Sequence, residues 1–260
     1  MIAFTRAVPS SICGCELTHL SREPIDHALA VEQHGQYEAA LREAGLTVTR
    51  IPDLDTLPDC VFVEDTALVF DEVAVMTRPG AVKRREEVES VRDALEQHRK
   101  IATIEAPATL DGGDVLVLDK DVYVGLTPRS NLSGMQQLRA ILTPLGYTIR
   151  GVPVQGCLHL KSAVTRAGSR LLVANPSWVD PALFEGWDVI PVDSREPHAG
   201  NVLWLGGSTI VAEAFPRTNA ALARATDSNL RPVPASELAK AEGGVTCCSL
   251  ILNEQLIADS

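Results

Sequence analysis

The chain has 260 residues, 45% hydrophobic and 22% charged, enough to bury a sizeable core. Its net charge of -11 opposes a phosphate backbone or an anionic bilayer, which excludes nucleic acid and membrane as partners and suits a small cation. No run approaches the about 20 apolar residues that span a bilayer, and MIAFTRAVPSS has no secretory order, so the six cysteines read as thiols of a reducing, cytoplasmic compartment.

In chain order, residues 1–11 read as a strand and turn, and residues 26–52 as a helix followed by a strand. DCVFVEDTALVF and EVAVMTRPG then give two strands around a tight turn, followed by the helical stretch REEVESVRDALEQH. The same layout returns in LDGGDVLVL, DVYVGLTPRSN and SGMQQLRAILTPLGY. It returns again in LHLKSAVTRAG, SRLLVANPSWV and WDVIPV, and in AGNVLWLGG, STIVAEAFPRTN and AALARATDSN. A fifth start, GVTCCSLIL, has its helix and last strand back at residues 26–52. The markers Asp59, Asp111, His159, Asn201 and Cys247 are 52, 48, 42 and 46 residues apart. That period also suits a four-strand-blade propeller, but the helices expected at 86–98 and 134–142 favour an α/β unit. The expected fold is one α/β domain over 1–260, a five-unit αβ propeller with pseudo-fivefold symmetry, closed by its N- and C-terminal segments.

Equivalent strand starts in such a ring point toward its axis. They would gather Asp59, Glu64, Asp65, Asp111, Asp114, His159, Lys161, Cys247 and Cys248 at one mouth. Carboxylates, one histidine and one thiol form a nucleophile–base–orienter set for covalent catalysis. The bland readings are specific too. FVED suits a solvated acidic turn, Arg84–Arg85 a solvated helix start, and most of the cysteines small buried hydrophobes. The cysteine spacing matches no closed zinc site. His19, His27, His34, His98 and His198 read as structural.

LPDCVFVEDTAL, TRPGAVKRRE, TLDGGDV, VGLTPRSN, LHLKSAV and GGVTCCS, in that order over essentially the whole chain, resemble the dimethylarginine dimethylaminohydrolase family. That family belongs to the pentein group, whose fold is the five-unit αβ propeller. The resemblance implies hydrolysis of Nω-methylated arginine to citrulline without cofactor or metal. A guanidinium is planar and permanently cationic, so carboxylates must hold it while a strong nucleophile attacks its carbon. By resemblance, Cys247 attacks, His159 protonates the leaving amine and then activates water, and Asp111 orients His159. Asp65 with Glu64 would hold the guanidinium, and Arg84 and Arg129 the α-carboxylate. Asp59 and the carbonyl of Leu17 would take the α-amino group, with Ala241 lining the site. Cys247, followed by Cys248 and Ser249, fits the family order of nucleophile, one residue, then Ser or Thr.

Arginine deiminases carry an acidic residue two positions after the histidine, where this chain has Lys161. That departure favours a methylated substrate. Arginine or agmatine deiminase is the alternative enzyme, and a non-catalytic ring such as the related ribosome-binding factor the alternative outside enzymes. A homodimer is left open.

Overall fold

The computed structural model describes residues 1–253, and each repeat folds into its own small sheet. The chain opens with β1 (Ile2–Thr5), helix α1 (His27–Glu43) and β2 (Thr47–Arg50). Asp26 caps α1 by accepting the N–H of Leu29 at 3.1 Å, one of the donors a helix start leaves unpaired. Ala30, His34, Tyr37 and Leu41 form its buried stripe, and Gly45, at φ +91°, turns the chain into β2.

The next unit contains β3 (Ala67–Val69), β4 (Val73–Met76), α2 (Val88–Leu95) and β5 (Lys100–Thr103). It is followed by β6 (Val115–Leu118), β7 (Asp121–Leu126), α3 (Leu132–Leu142) and β8 (Thr148–Pro153). A single turn, α4 (Leu160–Ala163), leads into β9 (Val164–Arg166), β10 (Leu171–Ala174) and β11 (Asp188–Pro191). Last come β12 (Leu203–Trp204), β13 (Ser208–Ala212), α5 (Pro216–Ala225), β14 (Asn229–Val233), the short α6 (Ser236–Ala239) and β15 (Leu250–Leu252).

Among the described residues these strands make five three-stranded sheets. All share one plan: the first strand is antiparallel to a central strand, which runs parallel to the third. The central strands VAVM and LLVA are buried along their whole length, as covered strands with parallel partners must be. One sheet combines distant parts of the chain. β1 pairs antiparallel with β15, Ile2 opposite Leu252, and parallel with β2, Ile2 opposite Thr47.

Two expectations shift. The helix expected at 86–98 is a 3₁₀ turn, Val82–Glu87, followed by α2. The polar residues expected at strand starts sit instead on helical turns that precede the strands: Val63–Thr66 before β3, Gly112–Asp114 before β6, and α4 before β9. Cys247 and Cys248 likewise lie in a turn, closed by the Cys247 N–H on the Gly244 carbonyl at 3.2 Å, and β15 begins only at Leu250. A turn lets consecutive carboxylates converge, whereas a strand would send them to opposite faces.

Candidate active site

The turn Val63–Thr66 buries both Glu64 and Asp65. Asp65 accepts the N–H of Gly113 at 2.9 Å and forms an ion pair with the guanidinium of Arg84. Burial alone would raise its pKa. The imidazole of His159 and the Arg84 guanidinium outweigh that and hold the carboxyl well below the usual carboxylate range. Glu64 receives the ammonium of Lys161 at 2.6 Å on one oxygen and the Thr246 hydroxyl at 2.8 Å on the other. Lys161 thus neutralises a site carboxylate, in addition to standing where a further one was excluded. The same three residues line a cavity of about 310 Å³.

The turn Gly112–Asp114 packs on Val63–Thr66 closely enough to need glycine twice. A Cβ at Gly112 would lie 2.0 Å from the Glu64 carbonyl oxygen. One at Gly113 would lie 2.6 Å from Nδ1 of His159 and 2.7 Å from Oδ1 of Asp65. Asp111, fully buried, accepts the N–H of Gly80 at 2.8 Å through one oxygen and faces Nε2 of His159 at 3.0 Å through the other. Asp114 is also fully buried; it accepts the N–H of Leu160 and the hydroxyls of Thr127 and Ser130. Burial pushes its pKa up to about 6 against those donors.

His159 therefore sits among three buried carboxylates, with its Nδ1 3.8 Å from Asp65. Burial lowers its pKa, but Asp65, Asp114 and Asp111 together raise it to about 9, so the ring carries a proton at neutral pH. Cys247 is half-buried, and its Sγ accepts the N–H of Gly244 at 3.3 Å. Burial, then the charges of Glu64 and Asp65, push the thiol well above its ordinary value. The Cys247 carbonyl accepts the N–H of Glu64 at 3.1 Å, which ties the thiol's turn to the carboxylate turn. Cys248 is buried in an apolar cluster against which Cys247 is also packed, and its Sγ meets the Gly244 carbonyl at 3.8 Å.

Arg84 is only 3% exposed, and its guanidinium is fully engaged. It bonds Asp65, both oxygens of Glu87, the Phe62 carbonyl at 2.8 Å and the Asp59 carbonyl at 3.3 Å. The solvated helix start is thus excluded, and reaching a substrate carboxylate would require Arg84 to release a partner. Arg129 lies nearer the opening, 3.7 Å from Asp111 and 3.1 Å from the Thr18 hydroxyl. Asp59 accepts the Glu16 N–H through both oxygens. Leu17 packs on the cluster that holds Ala241, and the neighbouring Glu242 carboxylate accepts the N–H groups of Thr18, His19 and Leu20. Residues 16–20 are thereby laid over Asp59 and Arg129.

Asp65, Asp111 and His159 offer three ligand atoms within 4.8 Å of one another, but the two arginines already lie on these carboxylates. Sequence reasoning missed Glu87, whose signal was its i,i+3 spacing from Arg84. It also missed Glu242, which has no comparable signal because its contacts reach residues more than 220 positions away.

The family model described as "N,N dimethylarginine dimethylhydrolase, eukaryotic" matches residues 18–178. The N(G),N(G)-dimethylarginine dimethylaminohydrolase of Streptomyces coelicolor is 41% identical over 243 residues, covering 92% of each chain. That of Pseudomonas aeruginosa is 33% identical, covering 93% of this chain and 94% of its own. A solved structure of the Pseudomonas aeruginosa enzyme, a cysteine-to-serine mutant complexed with citrulline, superposes with a TM-score of 0.91 at 32% identity. That match covers 95% of this chain and 97% of the other. On these matches, the chain belongs to the dimethylarginine dimethylaminohydrolase family.

Proposed function

We propose that this chain is a cysteine hydrolase that converts asymmetric dimethylarginine and monomethylarginine to citrulline, releasing dimethylamine or methylamine. The observation that carries this reading is a buried His159 braced by Asp111 and faced by Asp65, at the edge of a carboxylate site tied to the turn of Cys247. The substrate guanidinium lies against Asp65, with Glu64 beside it. Arg129 grips the α-carboxylate, joined by Arg84 if it gives up a partner, while Asp59 and the Leu17 carbonyl take the amino group and Ala241 lines the wall.

Burial and two carboxylates raise the thiol's pKa, and a bound cation opposes the second of these causes. The thiolate adds its electron pair to the guanidinium carbon, giving a tetrahedral adduct. His159 passes its proton to the substituted nitrogen, and the C–N bond breaks to release the methylated amine. This leaves an S-linked thiouronium. The now neutral His159 takes a proton from water, whose oxygen adds to the same carbon. Collapse expels the Cys247 thiolate, the remaining hydroxyl proton leaves to solvent, and the ureido group of citrulline is left. The five sheets serve as blades of one closed ring with pseudo-fivefold symmetry, and the protein works in the cytoplasm without cofactor, as a single domain over 1–260.

The deciding assay offers monomethylarginine, asymmetric dimethylarginine, arginine and agmatine, and measures citrulline and released amine. Methylated substrates should turn over, arginine and agmatine should not, and Cys247→Ser should be inactive. Turnover of arginine in preference to its methylated forms would favour a deiminase. No turnover of the methylated substrates, or an unimpaired Cys247→Ser, refutes the proposal.

A further inference from the structure

Asn201 marks the fourth of the repeated starts, yet the reaction above gives it nothing to do. Its carboxamide nevertheless touches both arms of the site. Oδ1 accepts the N–H of Thr246 at 3.0 Å. Nδ2 donates to the Lys161 carbonyl at 3.0 Å and to the Thr246 hydroxyl oxygen at 2.9 Å. That hydroxyl donates onward to Glu64 at 2.8 Å. Thr246 immediately precedes Cys247, and Lys161 follows His159 by two residues within α4. These arms are distant in sequence, 45 residues from Asn201 on one side and 40 on the other.

The partners fix which way the amide points. The Thr246 N–H can only donate and the Lys161 carbonyl can only accept, so one planar group must offer an acceptor on one side and donors on the other. Among side chains of this size, only asparagine does so. Aspartate lacks the donor, and leucine lacks both. The turn of Cys247 is also folded directly onto this side chain: a Cβ at Gly244 would lie 2.3 Å from Oδ1 of Asn201. The Gly244 N–H, in turn, is the donor that meets the Cys247 sulfur.

We infer that Asn201 is a positioning residue for this reaction, holding the Cys247 thiol at its working distance from His159 by bonding the residue before the one to the helix after the other. The inference rests on the assignment of Cys247 and His159 made above. Of the groups proposed to hold the substrate the bridge reaches Glu64, through the Thr246 hydroxyl, and not Asp65, Asp59 or Arg129, so it bears on the attack and proton transfer more than on holding the substrate. A displacement of about 1 Å between reacting groups is enough to cost about 100-fold in rate.

The test compares Asn201→Ala, Asn201→Asp, Thr246→Ala and Cys247→Ser by citrulline release from both methylated arginines, with thermal melting in parallel. Both Asn201 variants should lose about tenfold or more in kcat while KM moves by less than about threefold. Aspartate keeps the shape and the acceptor but sets an oxygen against the Lys161 carbonyl, so it should fail alongside alanine. Normal kcat in Asn201→Asp would reduce the residue to a space filler and overturn the inference. A loss confined to KM, or kcat within about twofold of wild type in both variants, would do the same. If neither Asn201 variant folds, Thr246→Ala carries the test, because it removes the hydroxyl bonded by Nδ2 of Asn201 and leaves Asn201 with its two backbone bonds in place. Loss of that bond should lower kcat, KM moving as well because the same hydroxyl bonds Glu64, and a wild-type kcat refutes the role. Turnover by Cys247→Ser overturns the nucleophile itself, whereas an inactive Cys247→Ser beside fully active Asn201 variants overturns only the positioning role.

Discussion

The Asp111 carboxylate meets the N–H of Gly80, the guanidinium of Arg129 and Nε2 of His159, and the last contact bears on a proton. Burial favours the neutral ring, and three carboxylates overcome it to place the pKa at about 9. His159, the proposed acid, is therefore loaded below that pH and unloaded above it. The alkaline limb of kcat/KM should fall near pH 9 in the wild type. Asp111→Asn removes one charge while keeping the shape, so His159 should release its proton more readily and the limb should move to lower pH. A pH–rate profile with an unmoved limb would show that Asp111 does not govern this proton. At this scale the motif series made the carboxylates, the histidine and the thiol legible. The state of Arg84 was not legible. Two adjacent arginines followed by two glutamates read as solvent-facing, and only the carbonyls of Asp59 and Phe62 reveal that one of them is enclosed.

Among elements, the turn before each first strand matters more than the strand. Four such turns carry the proposed site residues, and the packing around Gly112–Asp114 leaves no space for side chains at Gly112 and Gly113. Gly113→Ala presses a methyl group between His159 and Asp65, against the imidazole and carboxylate and not against backbone. Its expected result is a folded protein whose kcat falls by about tenfold or more, since sub-ångström to 1 Å shifts of reacting groups have that effect. Near-UV circular dichroism and citrulline assays together would check it; an active, well-folded variant would mean that the turns have slack. The order of elements was readable from the repeat, but their boundaries were less so. Val82–Glu87 carries charges at helical spacing, yet the inward pull of Arg84 and Glu87 tightens it into a 3₁₀ turn before α2 begins.

For the whole molecule, the sheet shared by β1, β2 and β15 links the beginning of the chain to the turn of the thiol. The sequence showed this through a fifth unit that began late and had its remainder at the start. What it could not show was the register, Ile2 opposite Leu252, which depends on where the turn of Cys247 ends. Leu250 and Leu252 are buried in the cluster of Ile2, Phe4 and Met76. At about 1.5–3 kcal/mol for each buried leucine, removing β15 forfeits about 3–6 kcal/mol before any hydrogen bond is counted. That is a large share of a typical total of about 5–15 kcal/mol. A chain ended after Ser249 should therefore lose its cooperative melting transition, although it keeps every side chain of the proposed site. A sharp melt near the full-length midpoint would indicate that β15 contributes little.

The pairing of β15 with β1 also has a consequence in time. Synthesis turns chain order into a sequence of events, and sheets built from contiguous segments can form as they emerge. β1 appears first and stays without its antiparallel neighbour until the last described strand is made. By then the segments of the other four sheets, with His159, Asp111, Asp65 and Arg129, have all been synthesised. A chain interrupted between His159 and Cys247 carries the proposed acid, its brace and the carboxylates proposed to hold the cation, but not the proposed nucleophile. Translation itself thus delays the arming of the site until the rest of the scaffold exists.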